Sequence, residues 1–364
     1  MKVLLLSDPK SSHTFKWAKS LTLKGIDISI VGFRSPDKEI YNYVSSVYTL
    51  DYDESLFSKS SGSISKLKYI NVLPKFLKII KEFKPNIVHA HYATSYGFLG
   101  AISGCHPFII SVWGSDIFDF PKYSILHKKI LEFNLSRADV ITSTSSIMRI
   151  EALKYTKKNI YVIPFGINLN EFRQFPVKSP FKNDDIVIGV IKALEEIYGI
   201  EYLIKAFSLL CSRHKNLSLK LLIIGEGSLE LHLKKMVIDL GVGENTFFLG
   251  SIPHKDIVFY HNMIDIFVCP SIMESFGVSV IEASACQKPV VVSNIGGLKE
   301  IVKHGVTGFK SSCRDVKSIM DSIERLVLDR KLRLKLGYSG RKMIEKFYDW
   351  DFNVNQMINI YKQF

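Results

Sequence analysis

Short apolar runs alternate with helical patterns along the whole chain, and this alternation limits the fold more than any other feature. Runs rich in Val, Ile, Leu and Phe are typical of strands that are buried on both faces. We predict strands at residues 3–7, 28–32, 87–91, 108–112, 140–143, 160–163, 186–191, 219–224, 265–269 and 290–293. Helices are predicted at residues 15–24, 70–83, 125–137, 200–214, 229–240 and 278–285. Buried strands separated by helices indicate doubly wound parallel sheets, and therefore the α/β fold class.

The alternation restarts after residue 183, which predicts two domains. A chain of 364 residues is long enough to form two separate cores. Residues 175–181 contain two prolines and no periodic apolar pattern, a composition that is typical of a linker. We therefore predict an N-terminal domain at 1–172, a linker at 173–183 and a C-terminal domain at 184–345. A final amphipathic helix is predicted within residues 346–364.

A turn with an acid on each side separates the strand at 265–269 from the helix at 278–285. The first amides of a helix lack backbone partners and carry partial positive charge, so a diphosphate can bind where Gly277 opens this helix. Glu274 and Glu282 would then accept hydrogen bonds from hydroxyls on either side of the diphosphate. This arrangement predicts a nucleotide-sugar site. The alternative is that Glu274 caps the helix and Glu282 is a solvated helix residue.

Positive charge is concentrated in the N-terminal half. The formal net charge is +13, and residues 1–175 carry 23 Lys or Arg against 14 Asp or Glu. The segment 59–84 begins at Lys59, ends at Lys84, and contains seven lysines and one acid among interleaved apolar residues. This segment can dock on an anionic membrane surface, or it can pack its apolar face on its own domain. The sequence is compatible with both alternatives. No recognition motif accompanies the charge, so no nucleic-acid partner is expected.

Cysteine usage and hydropathy bear on the compartment. The five cysteines are scattered and form no C-x-x-C pair, which favours reduced thiols. The N-terminal apolar run is too short for a signal peptide, and no run of about 18 apolar residues is present. We therefore expect a cytoplasmic protein, peripheral on the inner face of the cytoplasmic membrane if the basic segment docks there.

Several motifs carry a resemblance to a known family. Glu274 and Glu282 are separated by seven residues and lie in the pattern Pro-Ser-x-x-Glu-Ser-Phe-Gly. Further motifs are Pro-Asn-Ile-Val-His-Ala-His at 85–91, Ile-Pro-Phe-Gly-Ile-Asn at 163–168, Gly-Glu-Gly at 225–227, Gly-Gly at 296–297 and Gly-Val-Thr-Gly-Phe at 305–309. The chain resembles the family 4 retaining glycosyltransferases over nearly its whole length. This resemblance implies the GT-B architecture, in which two Rossmann-like doubly wound parallel-sheet domains face an interdomain cleft.

The resemblance implies a nucleotide-sugar site in the C-terminal domain and an acceptor site in the N-terminal domain. Glu274 would contact hydroxyls of the donor sugar near the reacting carbon, Glu282 would bind the ribose, and the base would lie near Ile252. Backbone N–H groups of the turn would meet the diphosphate. The implied donor-binding residues are Glu282, Ser275, Phe276, Gly277, Val278, Tyr198, Glu226 and Ile252. The last helix would return to the N-terminal domain, as it does in relatives.

Two departures from the family pattern concern catalysis. The family usually carries an arginine and, a few residues on, a lysine, both aimed at the diphosphate. In this chain Lys192 stands near the arginine position and Tyr198 at the lysine position. Lys192 can neutralise the departing diphosphate as a point charge, whereas Tyr198 can donate only a neutral hydrogen bond. The predicted catalytic residues are Glu274, Lys192 and Asp116.

The N-terminal domain also departs from the family. Trp113 stands where a histidine is often found, and Asp116 is the nearby polar candidate. His13 and Thr14 replace a common Gly-Gly pair, and His91 follows a strand at the mouth of the expected cleft. The predicted acceptor-side residues are His13, Thr14, His91 and Trp113.

No obligatory metal ion is expected. His89 and His91 alternate on a strand, a spacing that can serve a metal, but no carboxylate or third histidine adjoins them in the sequence. A pair of histidines at a strand end is the simpler interpretation. The chain also lacks an Asp-x-Asp motif, which would otherwise anchor a divalent ion on the diphosphate.

The function predicted from these features is retaining transfer of a sugar, of the hexosyltransferase type, from a UDP- or GDP-sugar to a saccharide or lipid-linked acceptor. The pathway class would be cell-envelope polysaccharide or glycolipid synthesis, lipopolysaccharide included. One alternative is a non-catalytic GT-B subunit that binds a nucleotide or saccharide, which Trp113 and Tyr198 keep open. Another is a nucleotide-sugar epimerase. A Rossmann dehydrogenase is disfavoured because the loop at 225–228 lacks the third glycine of G-x-G-x-x-G.

Overall fold

The structure is a computed structural model that describes residues 1–36, 41–50 and 71–364. Within it the chain divides into two compact units. The first consists of Met1–Pro164 together with Phe352–Phe364, and the second of Phe165–Asp351. The sequence placed the first boundary at 172–173, whereas the division falls at 164–165, and the predicted linker 173–183 belongs to the second unit. Phe175 is attached there because its N–H donates to Asn262 Oδ1 at 3.1 Å.

The first unit is built on a parallel sheet of seven strands in the order β3-β2-β1-β4-β5-β6-β7. Its strands are β1 (Lys2–Leu6), β2 (Asp27–Gly32), β3 (Ser46–Thr49), β4 (Ile87–His91), β5 (Phe108–Val112), β6 (Val140–Ser143) and β7 (Ile160–Val162). Its helices are α1 (Ser12–Leu23), α2 (Leu73–Phe83), α3 (Ser95–Ser103), α4 (Ser115–Phe118), α5 (Ile125–Arg137) and α6 (Ser146–Ala152).

The second unit has a parallel sheet of six strands in the order β10-β9-β8-β11-β12-β13. Its strands are β8 (Ile186–Ile191), β9 (Leu219–Ile224), β10 (Thr246–Phe248), β11 (Ile266–Cys269), β12 (Val290–Ser293) and β13 (Gly308–Ser311). Its helices are α7 (Ile200–Arg213), α8 (Glu230–Asp239), α9 (Ile257–Met263), α10 (Val278–Ala285), α11 (Leu298–Ile301), α12 (Val316–Leu328) and α13 (Arg330–Phe347). The last helix, α14 (Trp350–Tyr361), spans the division between the units.

The predicted α/β class with two doubly wound parallel sheets is therefore confirmed. Central strands such as β4, β5 and β12 are buried along their whole length, which is why they read as continuous apolar runs. The strand order reverses between β1 and β4 in the first sheet and between β8 and β11 in the second. In open α/β sheets, ligands bind beside such reversals, at the edge where the parallel strands end. We call this edge of each sheet its carboxyl edge.

The basic segment 59–84 is only partly described, because residues 59–70 lie outside the described ranges. Its C-terminal part is α2, with Phe76, Ile79 and Phe83 buried. The helix predicted at 70–83 begins at Leu73, and Pro74 lies in its first turn, where the missing N–H of proline costs no helical hydrogen bond. Among the helices of the described ranges, none combines the length and the apolar character needed to cross a membrane.

Candidate active site

The carboxyl edge of the second sheet brings two distant loops together. Strands β8 and β11 are neighbours, so the loops that follow them start side by side. The N–H groups of Ile272 and Met273 both donate to the carbonyl of Ile197, at 2.8 and 3.2 Å. Gly199 has a φ of +61°, and a Cβ there would lie 2.4 Å from the carbonyl oxygen of Pro270. Only glycine fits this approach, which holds the loop after β8 against the loop after β11.

Lys192 and Glu274 meet at this junction and form an ion pair. Lys192 Nζ lies 2.5 Å from Glu274 Oε2, and the two side chains are only 14% and 12% exposed. Burial by itself would lower the pKa of Lys192, but the neighbouring Cys269 and the charge and hydrogen bond of Glu274 outweigh it and raise that pKa above its usual value. Lys192 is therefore a charged ammonium held beside the first of the paired glutamates.

Tyr198 contacts Lys192 through its ring. The ammonium lies 4.7 Å from the ring centroid, within the range of a cation–π interaction. The sequence predicted a donor-binding residue that acts through its hydroxyl. In the structure the aromatic face is what meets the cation, and the hydroxyl is not part of this contact.

The turn between the paired glutamates is fixed by glycines. Gly277 has a φ of +107° and N-caps α10, and a Cβ there would lie 2.6 Å from Leu298 Cδ2. A Cβ on Gly296 would lie 1.9 Å from the carbonyl oxygen of Glu274, and Gly297 donates its N–H to that same oxygen at 3.1 Å. The sequence analysis explained Gly277 by the close approach of a phosphate. The close packing of Leu298 is a second reason why a glycine is needed at this position.

The N-terminus of α10 carries the other residues predicted for the diphosphate. Phe276 is buried against Phe165 and Tyr348, with ring centroids 5.6 and 5.9 Å away, which anchors the turn. Ser275 and Val278 are half-buried on either side. Ser279, in the first turn of the helix, has a buried Oγ without a hydrogen-bond partner among the described residues.

Glu282 is buried and bonded to two histidines that the sequence analysis missed. Its Oε1 lies 2.9 Å from His254 Nε2, and its Oε2 lies 3.3 Å from His261 Nε2. Burial would raise the pKa of Glu282, but hydrogen bonds from His254 and His261 prevail and lower it to about 2. Glu282 is therefore not the solvated helix residue of the alternative interpretation. The His254 side chain is 65% exposed and the His261 side chain is fully buried. The Glu282 carboxylate is therefore bonded to one histidine on the solvent side and to the other on the core side.

No local pattern could have predicted these histidines. They precede Glu282 by 28 and 21 residues and come from the loop after β10 and from α9. The ring of Phe172 packs beside both of them, at centroid distances of 5.7 and 6.2 Å. The nearest signal is that His254 follows the Ile252-Pro253 pair expected beside the base.

The loops after β9 and β10 adjoin the loop after β8. Glu226 is exposed, and its Oε1 accepts from the N–H of Ser251 at 3.1 Å, next to the half-buried Ile252. A Cβ on Gly225 or on Gly227 would come within 2.5 Å of the carbonyl oxygens of Lys192 or Leu194. Glu226 and Ile252 therefore lie in one tightly packed group of loops.

The carboxyl edge of the first sheet holds a stacked aromatic group. The rings of His91 and Trp113 lie 4.3 Å apart, and His13 meets Trp113 edge-on at 5.8 Å. His91 Nδ1 is 2.9 Å from Ser7 Oγ, which in turn lies 2.6 Å from Thr14 Oγ1. The structure thus brings together all four residues that the sequence predicted for the acceptor side.

His89 connects this group to the last helix. Its Nδ1 lies 2.6 Å from Tyr361 Oη on α14, and its Nε2 lies 2.8 Å from Ser111 Oγ. Burial lowers the pKa of His89 to about 3, and burial followed by the neighbouring His89 and His13 lowers the pKa of His91 well below its usual value. Both rings are therefore neutral. Across the described ranges, no group of three or more His, Cys, Asp or Glu side chains could hold a metal ion.

Asp116, predicted to be catalytic, is hydrogen-bonded to the backbone of its own loop and of a neighbouring loop. Its side chain is buried and accepts hydrogen bonds from the backbone N–H groups of Ala93, Trp113 and Gly114, at 2.8, 3.2 and 2.8 Å. Burial raises the pKa of Asp116 against these hydrogen bonds. The Asp116 carboxylate therefore fixes the loop that carries Trp113, and the catalytic role predicted for it stays a prediction.

Comparison with known families covers both units. The family described as "Glycosyl transferases group 1" matches residues 171–343, and "Glycosyl transferase 4-like" matches residues 2–145. The chain is 28% identical over 367 residues to the capsular polysaccharide biosynthesis glycosyltransferase CapM of Staphylococcus aureus, covering 94% of this chain and 92% of that protein. It is 33% identical over 200 residues to an uncharacterized glycosyltransferase, MJ1607, of Methanocaldococcus jannaschii, a match that spans 54% of this chain and half of the relative.

Among solved structures, Anabaena Alr3699/HepE in complex with UDP superimposes with a TM-score of 0.81. The superposition covers all of both chains, at 18% sequence identity. At this identity the likeness concerns the fold alone, which is GT-B.

Proposed function

Because the chain belongs to the group 1 glycosyltransferases of the family 4 type, with the GT-B fold, we propose that it transfers a sugar with retention from a nucleotide-sugar donor to a saccharide or lipid-linked acceptor. The observation that carries the proposal is the buried pair of Lys192 and Glu274 at the strand-order reversal of the second sheet, with the ionised Glu282 on the following helix. A cation and two carboxylates around one turn match a ligand with a diphosphate between two sets of hydroxyls.

We assign the donor to the second unit. Glu274 accepts hydrogen bonds from hydroxyls of the transferred sugar, and Glu282, oriented by His254 and His261, binds the ribose. The amides of Phe276, Gly277 and Val278, with Ser275 beside them, hold the diphosphate at the N-terminus of α10. Glu226 and Ile252 lie where the base would bind, and a UDP- or GDP-sugar fits these roles equally.

Donor binding rearranges the ion pair. In the structure Lys192 and Glu274 satisfy each other. An incoming diphosphate offers Lys192 a more negative partner, and the sugar hydroxyls offer Glu274 neutral donors. The exchange therefore leaves neither buried charge without a partner, which matters because an unpaired buried charge is strongly destabilising.

The reaction follows from this arrangement. Cleavage of the bond between the sugar C1 and the phosphate oxygen develops positive charge on the ring and negative charge on the diphosphate. Lys192 and the amides near Gly277 stabilise the leaving group. The acceptor oxygen bonds to C1 on the same face, and the departing phosphate oxygen takes the proton of the acceptor hydroxyl, which gives retention. Glu274 acts as a hydroxyl ligand and not as a covalent nucleophile.

The first unit is assigned to the acceptor, with His13, Thr14, His91 and Trp113 as its contacts. The neutral imidazole of His91 and the indole face of Trp113 suit sugar hydroxyls and the apolar faces of sugar rings. The resemblance to a capsular polysaccharide enzyme supports cell-envelope polysaccharide or glycolipid synthesis. The basic segment that ends in α2 supports a location at the inner face of the cytoplasmic membrane, where Lys75, Lys78 and Lys81 meet anionic lipid.

The first test is a thermal-shift screen with UDP-, GDP- and ADP-sugars, with and without magnesium, on the wild type and on Glu282→Ala. A ligand that binds only the folded protein raises the unfolding midpoint by mass action. We expect a rise with one nucleotide, independent of magnesium and lost in Glu282→Ala. The same rise in the variant would remove Glu282 from the donor site.

A second assay separates the reaction classes. Consumption of that donor should depend on added acceptor for a transferase. Consumption without acceptor, with conversion to an isomeric nucleotide sugar, would indicate an epimerase. Binding without consumption under any acceptor would indicate a non-catalytic subunit and overturn the proposed transfer.

A further inference from the structure

Helix α5 of the first unit is apolar on both faces. Its inner face buries Leu131 and Leu135 in the core of the unit. Its outer face, where polar residues are usual, instead carries Ile125, Leu126 and Phe133, which are 80%, 45% and 42% exposed. The 50% exposed Tyr123 lies just before the helix. The core accounts for the inner apolar residues only, so the outer ones need another explanation.

The outer residues form one stripe. Ile125, Lys129 and Phe133 are spaced by four residues, so they lie one above another on the helix surface. Leu126 precedes Phe133 by two turns and widens the stripe. Ser124 fixes where the helix begins, because its side chain accepts from the N–H of His127. Ile125 and Leu126 are therefore held in the first turn of a regular helix and not on a loop.

Basic residues surround this stripe. Lys122, Lys128, Lys129 and Arg137 are exposed around it, and the only acid in α5 is Glu132, which both Lys128 and Lys129 approach, at 3.9 and 2.8 Å. A face that combines apolar side chains with an excess of cations is complementary to an anionic bilayer surface. An aromatic residue at the edge of such a face, like Tyr123, suits the membrane–water boundary.

The position of the stripe fits the proposed acceptor side. Helices that connect parallel strands start near the carboxyl edge, so the first turn of α5 lies on the side of the sheet that carries His91 and Trp113. The basic helix α2 buries Phe76 and Ile79 in the same core as α5, and α3 contacts both helices. The two basic helices therefore belong to one layer of the unit.

We propose that the outer face of α5 seats the protein on an anionic lipid bilayer. Ile125, Leu126 and Phe133 enter the boundary between headgroups and acyl chains, and the lysines meet lipid phosphates. A second copy of the chain is a poorer occupant, because a two-fold contact through this face would bring Lys129 and its cationic neighbours against their own symmetry mates. This surface is distinct from the segment 59–84, and its function as a membrane contact does not depend on sugar transfer.

The test is flotation of the full chain with vesicles of phosphatidylcholine alone and of phosphatidylcholine mixed with phosphatidylglycerol. The wild type should float with the mixed vesicles. Ile125→Glu and Phe133→Glu should each weaken binding at least about tenfold, because burial of one large apolar side chain is lost and a like charge is added. Exchanging Lys122, Lys128 and Lys129 for Gln should weaken it about fivefold per lysine, and only with the anionic vesicles.

Leu231→Glu is the matched control. Leu231 is 83% exposed on α8, close to the 80% of Ile125, but the charges of α8 balance, with Lys234 bonded to Glu230 at 2.6 Å. It should float like the wild type, and both Leu231→Glu and Ile125→Glu should keep the wild-type unfolding midpoint because these side chains are 83% and 80% exposed. Equal recovery of Ile125→Glu and wild type would overturn the proposal.

Two further outcomes would also overturn it. One is loss of flotation on exchanging Lys75, Lys78 and Lys81 of α2 for Gln while Ile125→Glu still floats, which would assign the contact to α2 instead. The other is a dimer in solution, by light scattering, that Ile125→Glu converts to a monomer, which would make the face a contact between copies. Neither measurement needs donor, acceptor or turnover, so failure of the proposed reaction would not affect them.

Discussion

At the carboxyl edge of the second sheet the buried polar side chains are charged and paired, whereas at that of the first sheet the buried histidines are neutral and pack against Trp113. The ion pair of Arg34 and Asp8 at the first edge is more exposed, at 33% and 29%. Lys192 pairs with Glu274, and Glu282 is ionised between two histidines. In the first unit, burial keeps His89 and His91 uncharged, and Trp113 covers the latter. One fold type, used twice, thus supports two kinds of site.

The difference follows from how each edge handles burial. A buried charge is tolerated where a partner of opposite sign compensates for the lost water, and the second unit supplies such partners. In the first unit, the ring nitrogens of His89 hydrogen-bond to the uncharged hydroxyls of Tyr361 and Ser111, and burial disfavours the charged form of the ring. A charged edge suits a diphosphate and a neutral edge suits the hydroxyls of a sugar.

Removing a charge from the second edge should have the largest effect. Glu274→Gln and Lys192→Met should each lower kcat by about 100- to 1000-fold, because one preorganised group that stabilises the transition state is lost. The loss in kcat of the double variant should be smaller than the product of the two single losses, because the two residues act as a unit. The measurement is initial rate at saturating donor, with circular dichroism to verify folding.

Lys234→Met is the control for the first prediction, since Lys234 also pairs with a glutamate but on the surface of α8, 47% exposed. Its kcat should stay within about twofold of wild type, as expected for exposed pairs. Near-normal turnover of Glu274→Gln would remove that residue from the reacting site and would break the comparison between the edges.

Acidification should weaken the first unit before the second. The pKa of His89 is lowered from 6.5 to about 3 in the folded protein. Between these two pH values the unfolded chain binds a proton at His89 and the folded protein does not, so the free energy of unfolding decreases as the pH falls from 6.5 towards 3. The pKa of Glu282 is lowered to about 2 from 4.5, so its contribution is lost only below pH 4.5. For His89 we expect a loss of about 1.4 kcal/mol per pH unit in this range.

Urea unfolding at several pH values checks this order. Trp17 and Trp113 lie in the first unit and Trp350 lies in the second. The tryptophan fluorescence of a Trp350→Phe variant therefore reports on the unfolding of the first unit alone. His89→Gln should reduce the slope of stability against pH, because the buried imidazole is removed. A first unit whose stability is flat between pH 6.5 and 4.5 would contradict the neutral state of these histidines.

The smallest effect is expected at Tyr198, and it sharpens the account of the charged edge. Tyr198→Phe keeps the ring over the Lys192 ammonium and should keep kcat within about twofold. Tyr198→Leu loses the cation–π contact and should lower kcat by roughly two- to thirtyfold. The reverse pattern, in which Phe is as impaired as Leu, would assign the function to the hydroxyl as a donor to the diphosphate.

Much of the fold could be read from the sequence because strand and helix patterns are local. The predicted bounds of β4, β5, β6, β8, β9 and β12 agree with the structure. Elements with weaker patterns were missed, including β3, α3 and β13. Half-buried strands such as β3 give no continuous apolar run. Helix α3 is largely buried and has no charged residue, so it lacks the alternation of apolar and polar faces by which a surface helix is recognised.

Part of the candidate site could likewise be predicted from the sequence, and part could not. The spacing of Glu274 and Glu282, the glycine turn between them and the position of Lys192 are all visible in the sequence. The sequence by itself also determined the parallel, doubly wound fold, because periodicity of buried residues is a property of neighbouring positions.

Only the tertiary structure decided which groups touch. Lys192 and Glu274 are 82 residues apart, His254 and His261 reach Glu282 from a separate loop and helix, and Asp116 is committed to backbone N–H groups. These contacts depend on the order of strands in each sheet, which places the ends of β8 and β11 side by side. Strand order is set by packing over long separations, and no short stretch of sequence encodes it.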